Sequence, residues 1–252
     1  MHNNLSTVAK LLKGAGRVLF ITGAGVSAES GIPTFRGSSA AFAQGLTEDG
    51  IPFEEALSGS MFRRRPEVSW KYFFQLELAV RGKQPNAAHA AMAALQGPER
   101  AVCVATQNID GLHQRAGSKE VIELHGNLQR LVCTGCDYVS CPETFEGLPS
   151  LPQCDRCGAT LRPDIVLYEE TLPEEALGRF AAEQQRGFDL VFSVGTTSIF
   201  HYVIEPVFLA SRQGVPTVEI NPDETGLSGQ VQYRFASAAG PVLKQLAEMC
   251  GK

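Results

Sequence analysis

Four cysteines have a spacing that points to one chemistry: Cys133-x-x-Cys136 and Cys154-x-x-Cys157, separated by residues 137–153. Each C-x-x-C places two thiolates on one knuckle, and two knuckles close a tetrahedral zinc shell. Gly135 and Gly158 beside the knuckles permit the tight turns. A redox dithiol or unliganded core thiols are the competing readings, and the spacing favours zinc. Four cysteine ligands leave no open coordination position, so the ion reads as structural rather than catalytic. Of the other cysteines, Cys141 is a spare between the pairs, Cys103 reads as core and Cys250 lies in the tail.

A second constellation is "CVATQNIDGLHQRAG", residues 103–117. An apolar run, Val102 to Val104, stops at Thr106-Gln107-Asn108, followed by Asp110 and His113. A strand ending in amides and a carboxylate, with an imidazole just beyond, has the composition of the floor of a site. Another imidazole, His125, follows in "ELHGNL". Residue types alone leave open which histidine acts.

The third is glycine-rich. The run Val18 to Ile21 leads into "TGAGVSAESGIPTFRG", where Gly23, Gly25 and Ala28 satisfy G-x-G-x-x-G/A after a strand, with a helix expected to open there. Glycines let the backbone approach a pyrophosphate, and a helix N-terminus supplies donors. Tight packing of a strand–helix turn is the competing explanation of the same glycines, and their placement after the first strand favours a nucleotide site. A hydride-transferring dehydrogenase needs a second strand ending in an acid about 20 residues on. Glu48 and Asp49 fall near that distance, but in a Gly- and Ala-rich segment without strand character. In its place stands Pro33-Thr34-Phe35-Arg36-Gly37, a rigid loop carrying an aromatic and a guanidinium.

These loops need elements to position them. Val18 to Ile21, Ala101 to Ala105, Leu190 to Val194 and Thr217 to Ile220 are short, nearly continuous apolar runs ending in Gly or small polar residues. Strands of a parallel sheet covered on both faces have this pattern. Helical stretches such as "NAAHAAMAAL" and "PEEALGRFAAEQQRG" alternate with them, so the fold class is α/β: a Rossmann-like, doubly wound parallel sheet. An N-terminal helix capped near Ser6 or Thr7 presents Val8, Leu11 and Leu12 on one face. Two segments break the βα rhythm. Residues 38–83 carry helix-like aromatic clusters, and residues 130–162 are rich in cysteine and proline. Both are read as insertions forming a smaller domain, a helical insertion beside a zinc ribbon. Residues 1–37, 84–129 and 163–252 then form the larger one.

The 252 residues suffice for a full core plus a small subdomain. A net charge of -5 argues against nucleic-acid binding by counterion release, and Arg63-Arg64-Arg65 reads as a solvated face. No apolar stretch approaches a membrane span and no signal peptide is evident, so a cytoplasmic location is expected.

Taken together, "GAGVSAESGIPTFRG", "TQNIDGLHQRAG", "ELHGN", the paired C-x-x-C, "VGTTS" and "EINPDET" resemble sirtuins, the NAD-dependent protein deacylases, in order and context. The resemblance runs from about Gly14 to the C-terminal helix. It implies a zinc-bearing small domain, NAD as co-substrate, one structural zinc per chain and a site in the cleft between domains. It names His125 as the general base. His113 is then a structural histidine, and His89 and His201 helix or loop residues. Gln107, Asn108 and Asp110 resemble the residues that orient nicotinamide and its ribose, with Asn108 and Asp110 in the catalytic group. Gly23, Ala24, Gly25 and Ser27 correspond to the cofactor turn, Phe35 to the shield of the reactive sugar face, and Arg36 lies near the phosphates. Gly195, Thr196 and Ser198 resemble a second phosphate or ribose loop. Asn221 fits the adenosine ribose, and Ala236 the adenine. In the family mechanism the acyl-lysine oxygen attacks the ribose, the histidine then takes a ribose hydroxyl proton, and lysine, nicotinamide and O-acyl-ADP-ribose result.

Departures from the family pattern refine this. Many sirtuins carry Phe-Gly-Glu before Leu-Pro; here the stretch is Tyr168-Glu169-Glu170-Thr171-Leu172-Pro173, with Glu169 replacing the glycine. The loop after "FRG" also differs, reading "SSAAFAQGLTEDG". Ile109, Ile165, Val166 and Tyr168 remain suited to an acyl-lysine tunnel and peptide lip, and an acidic lip favours basic neighbours of the target lysine. Members that remove acidic acyl groups carry Tyr-x-x-Arg in the helical insertion, whereas the nearest match here, Tyr72 to Gln75, ends in an amide. A carboxylate in an apolar tunnel needs a paired cation, so neutral acyl groups are expected, acetyl first, with fatty acyl groups accommodated by the aromatics between Met61 and Phe74. The expected partners are acylated-lysine proteins or peptides, with no nucleic acid or membrane, and the chain is expected to be a monomer. Mono-ADP-ribosyl transfer and a non-catalytic NAD- or acyl-lysine-binding module stand as alternatives, with a dehydrogenase last.

Overall fold

The structure, a computed structural model, describes residues 2–34 and 50–252. Helix α1 (His2–Gly14) leads into β1 (Arg17–Thr22), whose continuation makes two 3-10 turns, Ala24–Val26 and Ala28–Ser30. Three helices follow, α2 (Phe53–Ala56), α3 (Gly59–Arg64) and α4 (Pro66–Val80), then α5 (Ala87–Leu95) and β2 (Ala101–Thr106). After α6 (Leu112–Arg115) come β3 (Glu120–Glu123), β4 (Gly126–Cys133), β5 (Val139–Ser140) and β6 (Leu161–Ile165). The chain finishes with α7 (Glu174–Gln185), β7 (Leu190–Val194), α8 (His201–Arg212), β8 (Thr217–Ile220), β9 (Tyr233–Phe235) and α9 (Ala239–Met249).

Six strands form a parallel sheet in the order β3-β2-β1-β7-β8-β9. This is the doubly wound arrangement in which strand order reverses beside the first strand, and ligands sit outside the carboxyl ends at that reversal. Each face needs a cover, and each has one. Helices α1, α5 and α9 pack Val8, Leu12, Met92, Leu95, Leu243 and Leu246 against Val18, Phe20, Val104 and Phe192. On the other face, Phe180 of α7 and Val203, Val207 and Ala210 of α8 pack against Leu19, Ile21, Cys103 and Val191. Burial on both sides explains why the inner strands read as continuous apolar runs.

A second sheet, β5-β4-β6, is antiparallel and shares one core with the helices α2–α4. Trp70 lies at its centre. The indole is fully buried, meets Phe73 edge-on at 5.5 Å and Phe145 at 5.7 Å, and donates from Nε1 to the Leu161 carbonyl at 2.9 Å. A buried indole needs that acceptor. Through it the helical insertion is tied to the strand that follows the second cysteine pair.

Two local expectations are corrected. The first glycine-rich loop opens onto 3-10 turns and not a helix. Gly25 donates to the Gly195 carbonyl at 2.8 Å, and Asn86 Nδ2 donates to the Val26 carbonyl at 2.8 Å, so the backbone is tied sideways before a helical ladder can propagate. Helix α1 already includes Ser6 and Thr7 in its interior, because the residues preceding them extend it by a turn.

Candidate active site

Three adjacent parallel strands end together, and each releases one loop of the site. Thr22 pairs with Thr106 of β2 and with Val194 of β7, so the loops beginning at Gly23, Gln107 and Gly195 emerge side by side. Gly23 donates to the Val194 carbonyl at 3.1 Å and Gln107 to the Thr22 carbonyl at 3.0 Å. The glycines serve this packing directly. A Cβ on Gly23 would stand 2.8 Å from Thr196 Cβ, and one on Gly25 would stand 2.8 Å from Gly195 Cα. Backbone lies against backbone here, leaving a floor without side chains that can receive a pyrophosphate.

Polar side chains converge on that floor. Ser27 Oγ donates to Asp110 Oδ2 at 2.7 Å and accepts from Asn108 Nδ2 at 3.0 Å; all three residues are buried. Asp110 Oδ1 accepts from the Leu112 amide at 2.9 Å, and the Asn108 amide donates to Thr106 Oγ1 at 3.0 Å. Opposite, Gln107 Nε2 donates to Thr196 Oγ1 at 2.9 Å and Asn221 Nδ2 to the Thr196 carbonyl at 2.8 Å. Amide, hydroxyl and carboxylate are held in fixed rotamers, which is what orienting an amide and a sugar requires.

The two histidines of the opening motifs separate clearly. His113 is buried behind the floor, its Nε2 3.0 Å from Thr22 Oγ1 and its ring 4.8 Å from that of His89. Burial, and then the neighbouring His89, pushes it down to about 3, while burial pushes His89 down to about 4 against an opposing pull from Asp110. Both are neutral at pH 7. His89 also closes the capping box of α5, its Nδ1 accepting from the Asn86 amide at 3.3 Å. His125, by contrast, faces the cavity from the turn between the two sheets. Its carbonyl accepts from the Val166 amide at 3.0 Å, and the next residue must be glycine: Gly126 has φ +78°, and a Cβ there would collide with the Asp164 carbonyl. His125 Nε2 lies 2.7 Å from the Tyr202 hydroxyl. His201 is an exposed residue at the start of α8, beside Glu205.

The cavity at the strand ends measures about 730 Å³. Gly23, Ala24, Gly25, Ser27, Gln107, Asn108, Ile109, Asp110, His125, Ile165, Val166, Tyr168, Gly195, Thr196 and Asn221 all line it. Ser198 and Ala236 do not: Ser198 is buried with its hydroxyl toward Ser193, and Ala238 takes the lining position near the last strand. Phe35 and Arg36, with Glu48 and Asp49, fall outside the described residues. Sequence reasoning passed over Thr197, Phe200, Tyr202 and the Pro222–Thr225 turn, all of which line the cavity. "GTTS" signalled that loop, but nothing in the spacing indicates that the first turn of α8 folds back toward His125.

Toward the antiparallel sheet the wall becomes apolar. Ile32, Phe53, Leu57, Leu128 and Ile165 face it, and α4 contributes Leu76, Ala79 and Val80, one helix face. Tyr72 and Gln75 do not line the cavity; Tyr72, one turn before Leu76 on α4, is buried in the aromatic core beside Phe53. Among the described residues lining the cavity, none is a lysine or arginine. At the lip, Glu169 takes a left-handed φ of +70° and accepts from the Ser60 amide at 3.2 Å, while the Tyr168 carbonyl accepts from Gly59 at 2.9 Å. Glu170 takes both Arg162 terminal nitrogens, at 2.7 and 2.9 Å. Its burial would push the carboxyl up, but the Arg162 donors more than offset that and hold it below the ordinary carboxylate range.

The four thiols of Cys133, Cys136, Cys154 and Cys157 lie within 4.8 Å of one another. Zinc–sulfur bonds of about 2.3 Å in a tetrahedron set sulfurs about 3.8 Å apart, so the cluster fits the ion. It lies outside the cavity, in keeping with a structural role.

The profile of the Sir2 family matches residues 23–201. The chain is 45% identical over 250 residues to NAD-dependent protein deacylase 2 of Pseudomonas aeruginosa, covering 97% of this chain and 96% of that protein. It is 40% identical over 226 residues to NAD-dependent protein deacylase 1 of Archaeoglobus fulgidus, covering 90% and 89%. Among solved structures, a Sir2 homologue in complex with NAD superposes with a TM-score of 0.87 at 36% identity, covering 98% of this chain and 93% of that one. A Sir2 chain with a deacetylated peptide and 3′-O-acetyl ADP ribose superposes with a TM-score of 0.83 at 28% identity, covering 97% of each.

Proposed function

The chain belongs to the Sir2 family, and on that premise we propose that it removes acetyl and other neutral acyl groups from protein lysines, consuming NAD and giving nicotinamide, O-acyl-ADP-ribose and free lysine. The observation that carries this reading is the Ser27–Asn108–Asp110 network and His125 opening onto one cavity. NAD, when bound, supplies a glycosidic bond that can ionise and a ribose that accepts the acyl group. The Gly23–Gly25 and Gly195 loops would hold its phosphates, Gln107 and Asn108 its amide, Asp110 and Ser27 its ribose, and Asn221 the distal sugar. None of these side chains is a strong nucleophile that would compete with the acyl oxygen. His125 receives the ribose hydroxyl proton, a role suited to an imidazole that is neutral near pH 7.

The apolar wall of Leu76, Ala79, Val80 and Leu128 supports neutral acyl groups, since a buried carboxylate needs a paired cation and the described residues lining the cavity include no lysine or arginine. Exposed Glu169 at the lip supports peptides with basic residues beside the modified lysine. We read residues 38–83 and 130–162 as the small domain, and the protein as a cytoplasmic monomer with no nucleic-acid partner. No helix of the described residues is long and apolar enough to cross a membrane. Mass spectrometry of an acetyl-lysine peptide incubated with and without NAD tests the reading. Deacetylated peptide with O-acetyl-ADP-ribose, only when NAD is present, is the expected result. NAD consumption with the peptide unchanged and ADP-ribose on protein would replace it with ADP-ribosyl transfer.

A further inference from the structure

We propose that Glu219, a buried carboxylate outside the cavity, is a positioning residue for the distal, adenosine end of the cofactor site: it fixes the turn that lines that end. The inference rests on the deacylase reading above, in that NAD is taken as the ligand. Glu219 stands on β8, just before Asn221, and its side chain is 1% exposed. A charge withdrawn from water must be paired and hydrogen-bonded. Arg234, its neighbour across the sheet on β9, donates from Nε to Oε2 at 3.2 Å. The loop that follows β8 supplies two hydroxyls: Thr225 Oγ1 donates to Oε1, and Ser228 Oγ donates to Oε2 at 2.6 Å.

Each hydroxyl that reaches Glu219 also accepts a loop amide. The Thr225 amide donates to Ser228 Oγ at 2.9 Å, and the Leu227 amide donates to Thr225 Oγ1 at 3.1 Å. A hydroxyl has one proton to give, so directing it at the carboxylate turns its lone pairs toward those amides. Arg234 spans the same turn, its Nη2 donating to the Asp223 carbonyl at 3.2 Å. The turn starts at Asn221, whose Oδ1 accepts from the Asp223 amide at 3.1 Å. Asn221 and residues 222–225 line the cavity, whereas Glu219, Ser228 and Arg234 do not. The carboxylate therefore orders a binding surface from behind, which lowers the cost of ordering it when a ligand arrives. The Ser27–Asn108–Asp110 floor and His125 belong to other loops, so the contribution falls on binding and not on the chemical steps.

Glu219→Gln keeps the shape and removes the charge, setting an N–H group against donors. Three readings are taken. In the protein without ligand, hydrogen exchange at the Thr225 and Leu227 amides is expected to quicken about tenfold, with that of β7 unchanged. Calorimetric titration with ADP-ribose, which has the adenosine end and lacks nicotinamide, is expected to show a Kd raised about tenfold, the effect of one charge-assisted hydrogen bond. In turnover, KM for NAD should rise by a similar factor, while kcat and KM for the acetyl-lysine peptide stay within about twofold. A lower melting temperature with unchanged ADP-ribose affinity would overturn the proposal and leave Glu219 a stability residue. A loss in kcat with unchanged KM for NAD would overturn it too. Should Glu219→Gln not fold, Ser228→Ala, which removes one donor and leaves Arg234 and Thr225 on the carboxylate, takes the same readings with about threefold effects expected. Wild type that binds ADP-ribose without deacetylating the peptide would instead overturn the deacylase reading, and the exchange and titration results would still decide the role of Glu219.

Discussion

Ser27 Oγ donates to Asp110 Oδ2 at 2.7 Å, joining the loop after β1 to the loop after β2 on the floor of the cleft. Because Ser27 also accepts from Asn108, the carboxylate sets the direction of the serine proton and, through it, of the amide. Asp110→Asn should therefore disturb three polar groups at once. The expected outcome is a loss of about a hundredfold in kcat/KM for NAD, in line with removing one preorganised electrostatic partner. The melting temperature should stay near wild type, since an amide oxygen can still cap Leu112. Steady-state kinetics with varied NAD would count against this role if the change were less than about threefold.

His89 and His113 make acid stability a measurable property of the fold. Each is held neutral, with its protonation pushed down to about 4 and about 3, whereas in the unfolded chain an imidazole titrates near 6.5. The neutral form thus favours folding: the contribution is complete above pH 6.5 and is lost as pH falls toward the folded-state values. Each histidine should lower stability by up to about 1.4 kcal/mol per pH unit below 6.5. Calorimetry from pH 7.5 to 5 should show a falling melting temperature, with a shallower slope in His113→Gln. Equal slopes for the two proteins would contradict the assignment.

The chain has one tryptophan, and it reports on the zinc module. Trp70 Nε1 bonds to the Leu161 carbonyl, next to the Cys154–Cys157 knuckle in sequence. Removing the metal with a strong chelator, or replacing Cys154 with serine, should loosen β6 and admit water to the indole. A red-shifted Trp70 emission, a lower melting temperature and zinc falling from one per chain to none are expected together. Zinc loss with unchanged Trp70 emission would mean that the aromatic core stands without the ion.

Acyl preference should follow the charge of the α4 face. Leu76 lines the apolar end of the cavity, so Leu76→Arg places a guanidinium where a carboxylate-bearing acyl group would end. The ratio of succinyl- to acetyl-lysine turnover should rise at least about tenfold. If the ratio stays flat, the acyl chain runs elsewhere.

Strongly patterned parts of the fold were legible in the sequence. The four apolar runs became β1, β2, β7 and β8, with boundaries within a residue or two, because burial on both faces leaves a continuous signal. Cysteine spacing carried the thiol cluster for a similar reason: ligand geometry restricts spacing directly. The short strands β3 and β9 gave no such signal; with three or four residues each, neighbours define them more than composition does. The 3-10 turns after Gly23 were missed because a tertiary bond from Gly25 to Gly195, not local propensity, decides that backbone. Residue pattern alone could not choose between His113 and His125, since both follow apolar strands; burial separates them. Tyr202 has no motif at all, and only the fold of α8 brings it to His125.

The most direct test concerns His125. Wild type and His125→Ala are incubated with NAD and an acetyl-lysine peptide, and both deacetylated peptide and nicotinamide exchange are followed by mass. The variant is expected to lose deacetylation by at least about a hundredfold, the usual worth of a positioned general base, while still exchanging nicotinamide through the Asn108–Asp110 floor. Deacetylation by His125→Ala at the wild-type rate would contradict the account, because no other imidazole among the described residues faces the cavity.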